Sequence, residues 1–197
     1  MGNHIYTIGR ELGSGGYTVA KLLAERLGIR LYDKELLAQA AKDSGFCEEI
    51  FENHDERPTN SFLYSLVMDT YTGGNYSAAP FLDMPLNHKV FLAQFETIKK
   101  IAEKESCVIV GKCADYVLKG RKNVVSIYIE APRAFCLERT MQRMKVSSDV
   151  AAATIENTDK YRADYYKYYT KGNYWTNPVN YDMTLNSEKV GIAGCVK

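Results

Sequence analysis

The stretch that decides the fold is Ile8-Gly9-Arg10-Glu11-Leu12-Gly13-Ser14-Gly15-Gly16-Tyr17-Thr18, near the start of the chain. Residues 4–8 before it alternate and are β-branched, which predicts a strand, and residues 18–27 after it carry apolar side chains at helical spacing. A glycine-rich turn between a strand and a helix lets backbone N–H groups converge on an anion beside the positive helix end. The turn is therefore predicted to bind phosphate; the open alternative is a tight turn with nothing bound.

The rest of the chain alternates predicted strands and helices. In chain order they are a strand at 29–32, helices at 34–42 and 86–104, strands at 107–110 and 124–129, helices at 132–144 and 150–169, and a strand at 181–185. Between them, prolines and glycines in residues 46–85 predict short helices and a mobile loop. Because a parallel crossover needs a dozen or more residues, this order predicts a doubly wound α/β fold, a parallel sheet with helices on both faces.

Composition limits the class of partner. The 25 basic and 24 acidic residues leave a net charge of +1, which argues against binding nucleic acid or an anionic membrane through bulk charge. The five cysteines lack metal-ligand pairings and fit a reducing cytosol. No targeting pattern and no run of 18 apolar residues occurs. We therefore expect a cytoplasmic protein with a local anion site and no nucleic-acid or membrane partner.

The loop departs from the phosphate-binding consensus G-x-x-x-x-G-K-[ST] at its lysine, where the chain has Gly16 followed by Tyr17. Phosphoryl transfer needs positive charge over the transferred group, so another cation must replace the lysine. Arg10 is the nearest candidate. A dinucleotide-binding reading fails because G-x-G-x-x-G would require a third glycine at Thr18. The three histidines are scattered without ligand spacing, so no metal site is predicted from them.

Four ordered blocks of sequence resemble the cytidylate kinase-like family, a divergent branch of the P-loop nucleoside monophosphate kinases. They are Ile8–Gly16, Tyr32-Asp33-Lys34-Glu35-Leu36, Cys107-Val108-Ile109-Val110-Gly111-Lys112-Cys113-Ala114-Asp115-Tyr116, and Asp159-Lys160-Tyr161-Arg162-Ala163-Asp164-Tyr165-Tyr166. The likeness runs from about residue 5 to 193 and is weakest over 50–85. It implies one P-loop kinase-like domain over residues 1–197, with a helical acceptor-binding subregion at about 33–105 and a helical lid at about 139–175.

The residues and the resemblance together predict four groups of site residues. The groups are catalytic Arg10 and Arg162; ATP phosphate-binding Gly13, Ser14, Gly15, Gly16, Tyr17 and Thr18; acceptor-binding Asp33, Lys112 and Asp115; and lid residues Arg139, Arg143 and Asp159. The expected cofactor is Mg²⁺ with ATP, held mostly by phosphate oxygens and water, with Ser14 or Thr18 as at most one ligand.

Several of these residues have structural alternatives. Asp33 is also suited to capping a helix. Lys112 follows a buried strand at its carboxyl end, where ligands sit in open α/β sheets, but a solvated lysine would fit the pattern too. Asp115 is suited to an acceptor sugar or base, or to pairing with Lys112 or Lys119.

The arginines of the predicted lid and the tyrosine-rich stretch leave further alternatives open. Arg139 and Arg143 lie four apart on one helix face, where they would clamp phosphates or form a solvated face with Glu138 and Asp149 as partners. Seven tyrosines fall between Tyr161 and Tyr181 and suit lid packing or an interface, so a homo-oligomer is open. Because the chain ends soon after the last predicted strand, a final helix expected in this fold is predicted to be missing.

The leading functional hypothesis is transfer of the γ-phosphoryl group of ATP to a nucleoside monophosphate, with CMP or dCMP suggested by the resemblance alone. The missing loop lysine motivates a second hypothesis, a nucleotide- or phosphate-binding protein without kinase activity. The poorly matched residues 50–85 motivate a third, a kinase for a small metabolite.

Overall fold

A five-stranded sheet forms the centre of the protein, which we describe from a computed structural model over residues 2–45 and 86–197. Its strands are β1 (Ile5–Arg10), β2 (Arg30–Tyr32), β3 (Cys107–Val110), β4 (Val124–Glu130) and β5 (Met183–Asn186). They pair in the order β2-β3-β1-β4-β5, and every pairing is parallel. The predicted parallel α/β sheet is therefore confirmed, while the prediction for residues 46–85 lies outside the described residues.

The five longer helices lie close to where the sequence predicts them, whereas the short helices after β3 and β5 were not predicted. The helices are α1 (Gly16–Leu27), α2 (Lys34–Ser44), α3 (Leu86–Lys104), α4 (Ala114–Val117), α5 (Arg133–Met144), α6 (Ser148–Tyr169) and α7 (Ser187–Val190), with 3₁₀ turns at Pro178–Asn180 and Gly194–Val196. In the two described ranges, no helix combines the length and apolar character needed to cross a bilayer.

The two faces of the sheet carry separate clusters of apolar side chains. Ile5 and Ile109 pack with Leu36, Ile98 and Leu118 on the face covered by α2, α3 and α4. On the opposite face, residues of β1, β3 and β4 pack against α1, and the set includes Ile8, Val19, Ala24, Val110 and Ile129. Alternate residues of one strand thus supply both clusters, as expected for a sheet with helices on both sides.

The central strand β1 carries the glycine loop at its carboxyl end. Its Ile8 lies in register with Val110 of β3 on one side and Ile127 of β4 on the other. After β1 the chain moves across the sheet to β2, whereas after β3 it moves the opposite way to β4. Ligands of open α/β sheets bind at such a reversal, beyond the carboxyl ends of the strands.

Two predicted boundaries next to the loop are wrong. Strand β1 does not stop at Gly9 but continues to Arg10, because Gly9 and Arg10 pair with Tyr128 and Ile129 of β4. Gly9 instead allows close packing, since a Cβ there would lie 2.9 Å from Cδ2 of Tyr128. Helix α1 begins at Gly16, two residues before the predicted Thr18. The loop proper is therefore only residues 11–15.

Candidate functional site

The glycine loop takes a shape that only glycine adopts readily. Gly13 and Gly15 have φ angles of 87° and 85°, in the left-handed region that disfavours side chains. Gly15 occupies the N-cap position of α1 and makes no side-chain capping hydrogen bond. The first-turn amides of Tyr17 and Thr18 therefore have no side-chain cap from the N-cap residue, the arrangement that suits a bound anion.

Ser14 holds the loop from within. Its hydroxyl is buried, donates a 2.8 Å hydrogen bond to the Glu11 carbonyl and accepts a 3.4 Å hydrogen bond from the Gly16 amide. The Ser187 hydroxyl at the start of α7 donates to the Ser14 carbonyl. Ser14 is thus engaged in the loop structure and does not suit the predicted role of a Mg²⁺ ligand, whereas the Thr18 side chain is exposed.

Helices α5 and α6 contact the loop through three side chains. The Asp159 carboxylate accepts a 2.9 Å hydrogen bond from the Leu12 amide, and Arg139 Nε donates to the Gly13 carbonyl at 3.1 Å. Arg162 Nη1 lies 3.3 Å from the Arg10 carbonyl and 3.4 Å from Asp159 Oδ1. Arg139, Asp159 and Arg162 are therefore brought together at the loop, and Arg139 does not belong to a solvated face. Arg143 is exposed near the end of α5.

A small cleft opens at the carboxyl ends of β1 and β3, beside the loop. Of the described residues that line it, three are basic: Arg10 from the end of β1, Lys112 after β3 and Arg162 from α6. Arg10 and Lys112 meet because β1 and β3 are neighbours in the sheet, and α6 brings Arg162 to the Arg10 carbonyl. The cleft therefore concentrates positive charge in a protein whose net charge is near zero.

Lys112 reaches the cleft through an unusual turn. Gly111, Lys112 and Cys113 have consecutive φ angles of 70°, 57° and 54°. The left-handed conformation costs about 1–2 kcal/mol for each residue other than glycine, so two strained residues are held between β3 and α4. The Lys112 side chain is only 1% exposed, so the alternative of a solvated lysine is wrong.

Causes of opposite sign set the pKa of Lys112. Burial is the main cause that lowers its pKa from 10.5 to about 7, and the nearby Arg10 and Arg162 lower it further, while Asp33 raises it. A phosphate group in the cleft would oppose each of the lowering causes, because it supplies negative charge and hydrogen-bond acceptors to a buried ammonium. The surroundings of Lys112 thus suit an anion.

The two predicted acceptor-binding carboxylates are held differently. Tyr166 donates a 2.6 Å hydrogen bond from its hydroxyl to Asp115 Oδ2, and burial raises the pKa of this carboxyl. Asp115 therefore has a tyrosine as its hydrogen-bond partner, while Lys119 acts on it through charge. Asp33 occupies the N-cap position of α2, but its side chain makes no capping hydrogen bond, so the predicted cap is wrong. Its carboxylate acts on Lys112 through charge.

An aromatic wall, formed by Tyr165, Tyr166, Trp175 and Tyr181, completes the lining of the cleft. The Tyr181 hydroxyl donates a 2.7 Å hydrogen bond to the Trp175 carbonyl, and the Tyr181 ring stacks on Tyr128 with centroids 4.9 Å apart. The sequence signal for this wall was the tyrosine-rich stretch, interpreted only as packing or an interface. Sequence reasoning missed the wall as part of the site, and it missed Ser187 as a support of the loop.

A divalent cation fits this site only as a companion of phosphate. Throughout residues 2–45 and 86–197, no three or more His, Cys, Asp or Glu side chains group in a way that would hold a metal ion. Mg²⁺ is commonly bound through substrate phosphates and water rather than by an all-protein cage. The exposed Thr18 hydroxyl, in the first turn of α1 beside the loop, is the protein group that suits it.

Comparisons with known proteins agree with this geometry. The model of the cytidylate kinase-like family matches residues 5–189. A protein of Eubacterium ventriosum, described as uncharacterized, is 30% identical and has a solved structure that superposes with a TM-score of 0.72, covering 98% of this chain and 94% of that chain. Shikimate kinase from Bacteroides thetaiotaomicron, at 13% identity, 98% and 94% coverage and a TM-score of 0.51, shares the fold. No curated protein matches. The chain thus has the P-loop kinase fold and belongs to the cytidylate kinase-like family.

Proposed function

We propose that the protein transfers the γ-phosphoryl group of ATP to a nucleoside monophosphate, with CMP or dCMP as the first acceptors to test. The observation that carries the proposal is the meeting of Arg10, Lys112 and Arg162 in one cleft beside the glycine loop. Catalysis of phosphoryl transfer consists almost entirely of positioning and of stabilising charge on the transferred group. Three cations at the exit of a phosphate-binding loop are suited to both tasks.

The donor and acceptor would approach the cleft from opposite sides. Backbone amides of Gly13–Thr18 would hold the β-phosphate of ATP, and Arg10 and Arg162 would offset charge on the transferred group. Lys112 would hold the acceptor phosphate, with Asp33 and Asp115 on the acceptor side. The lid would be residues 139–175, which include Arg139, Arg143 and Asp159. The donor phosphates, with the Thr18 hydroxyl as at most one protein ligand, would hold Mg²⁺, and the ion would supply positive charge that offsets part of the phosphate charge.

The chemistry needs no nucleophile from the protein. A monophosphate acceptor has a second pKa of about 6, so its attacking oxygen is already ionised at neutral pH. The oxygen forms a bond to the γ-phosphorus as the bond to the bridging β,γ-oxygen of ATP breaks, leaving ADP and a nucleoside diphosphate. A hydroxyl acceptor would instead require a base, which is the chemical difference between a nucleotide kinase and a small-metabolite kinase.

An ATP-dependent phosphorylation assay tests the proposal. CMP, dCMP, UMP, AMP and GMP are each supplied with ATP and Mg²⁺, and ADP and the nucleoside diphosphate are measured directly. Turnover with one or more monophosphates is expected, with cytidine acceptors favoured. No diphosphate from any acceptor, despite thermal stabilisation by ATP, would support the binding protein. ADP formed only with sugar or alcohol acceptors would support the small-metabolite kinase.

Lys112 should give acceptor use a dependence on pH. Its ammonium form, which attracts an anion, is present below a pKa of about 7 and is lost as the pH rises. We therefore expect kcat/KM for the acceptor to fall up to tenfold per pH unit above about 7.5, because this parameter reports ionisation in the free enzyme. The measurement is a profile from pH 6 to 9 at ATP concentrations far below its KM, so that the enzyme without either substrate is the reference state.

The matched variant for this profile is Lys112→Arg. A guanidinium stays charged over the whole range, so the alkaline fall should disappear even if the new geometry lowers the absolute rate. Lys112→Met, which removes the charge, should show a low kcat/KM at every pH, close to that of the wild type at pH 9. An unchanged alkaline fall in Lys112→Arg would contradict the assignment of the titration to Lys112.

A further inference from the structure

Compared with the phosphate-binding consensus, a glycine and a basic residue have exchanged positions at the two ends of the glycine loop. When Gly15 is placed on the second glycine of G-x-x-x-x-G-K-[ST], residue 10 falls on the first glycine and residue 16 on the lysine. The chain has a basic residue, Arg10, at the position of the glycine and a glycine, Gly16, at the position of the basic residue. Side chain and charge have therefore changed places across the loop.

Gly16 is not required by the backbone. Gly13 and Gly15 have positive φ angles, whereas Gly16, the first residue of α1, does not belong to the positive-φ set. What prevents a side chain at this position is Arg10. A Cβ built on Gly16 would overlap the Arg10 Cβ sterically and lie 3.1 Å from the Arg10 Cγ and 3.3 Å from the Ile129 Cβ. Either residue 10 or residue 16 has room for a side chain, but not both.

The Arg10 side chain leads from this crowded point into the cleft. It lines the cleft together with Lys112 and Arg162, and its positive charge is, after burial, the largest cause of the lowered pKa of Lys112. Its carbonyl accepts the hydrogen bond from Arg162 that ties α6 to the loop. Arg10 thus enters the cleft from the end of the central strand, whereas a lysine at residue 16 would enter from the start of α1.

From these observations we infer that Arg10 and Gly16 are an exchanged pair. The Arg10 stem fills the space that the loop lysine would use, and its guanidinium supplies the loop cation from the opposite end of the loop. The inference rests on the proposed function only in that the cation serves nucleotide phosphates. It explains the missing lysine as a relocation of positive charge rather than as its loss.

The steric half of the inference is tested by melting temperatures alone. Gly16→Ala is made in the wild-type chain and in an Arg10→Gly chain. In the wild type, overpacking should lower the melting temperature by about 5 °C. With Arg10 absent, the same substitution should be neutral or stabilising, because alanine favours a helix more than glycine does. An equal change of melting temperature in both chains would contradict the claim that residues 10 and 16 cannot both carry a side chain.

The charge half is tested by ADP binding in the presence of Mg²⁺, measured by titration calorimetry. Arg10→Gly should weaken ADP binding at least tenfold, and the double variant Arg10→Gly with Gly16→Lys should recover to within about threefold of the wild type. A double variant no better than Arg10→Gly would overturn the relocation. Neither measurement uses an acceptor or turnover, so both stand apart from failure of the proposed kinase reaction.

Discussion

Replacing Arg162 with alanine is expected to lower kcat for phosphoryl transfer about 10³-fold, because an arginine placed over the transferred group contributes about 10³–10⁵ in other phosphotransferases. Arg162 lines the cleft beside Arg10 and Lys112, and it also holds Asp159 at 3.4 Å. Loss of that ion pair leaves a partly buried carboxylate and should cost about 1–3 kcal/mol of the free energy of unfolding. Steady-state kinetics and thermal melts separate the two effects.

A control for Arg162→Ala is available on the same helix. Lys160 is exposed two residues earlier, and Lys160→Ala removes the same unit of charge from α6 without touching the cleft. This variant should keep kcat within about twofold of the wild type, since exposed charges at this distance are screened. If Arg162→Ala loses stability but keeps kcat within tenfold, its role is structural and the catalytic assignment is wrong.

Gly13→Ala should lower the free energy of unfolding by about 3–4 kcal/mol, the sum of a left-handed backbone penalty and a steric clash. Gly13 has a φ of 87°, and a Cβ there would overlap the Cys136 carbonyl oxygen and lie 2.8 Å from the Cys136 Cα and the Thr140 Oγ1. Two of these atoms belong to the backbone of α5 and cannot rotate away. Denaturant unfolding measures the loss.

The matched control is Gly28→Ala at the end of α1. Gly28 also has a positive φ, 64°, but a Cβ there would meet nothing within 4 Å. It should cost only the backbone penalty of about 1–2 kcal/mol. Equal losses in the two variants would mean that contact between the loop and α5 adds nothing to the requirement for glycine at residue 13.

The order of strands and helices and the basic residues of the cleft could be predicted from the sequence. Periodicity gives the strand, loop and helix at the start of the chain, and the buried strand at residues 107–110 predicts a ligand site at its carboxyl end. The carboxyl ends of parallel strands share one edge of a sheet, which is why Arg10 and Lys112 meet there. The resemblance added Arg162, which α6 brings to the same edge.

Other features of the site depend on three-dimensional packing that no local pattern encodes. The sequence correctly placed Asp33 at the N-cap position of α2. Its side chain, however, does not cap the helix and acts on Lys112 through charge. Trp175 reaches the cleft from an irregular segment, where periodicity gives no direction. The reason for glycine at residue 16 lies in the Arg10 stem, which is close only because β1 extends past Gly9.

The central place of β1 also governs how the chain must be assembled during synthesis. Residues 5–10 leave the ribosome before their partners on either side, which are residues 107–110 and 124–129. Strand β1 therefore stays unpaired until residues 107–129 have been translated, and such non-local pairing is slow because the intervening chain must first be ordered. Until then the unpaired strand can pair with other unfolded chains and cause aggregation. The yield of folded protein should therefore depend on chaperones that bind the nascent chain early.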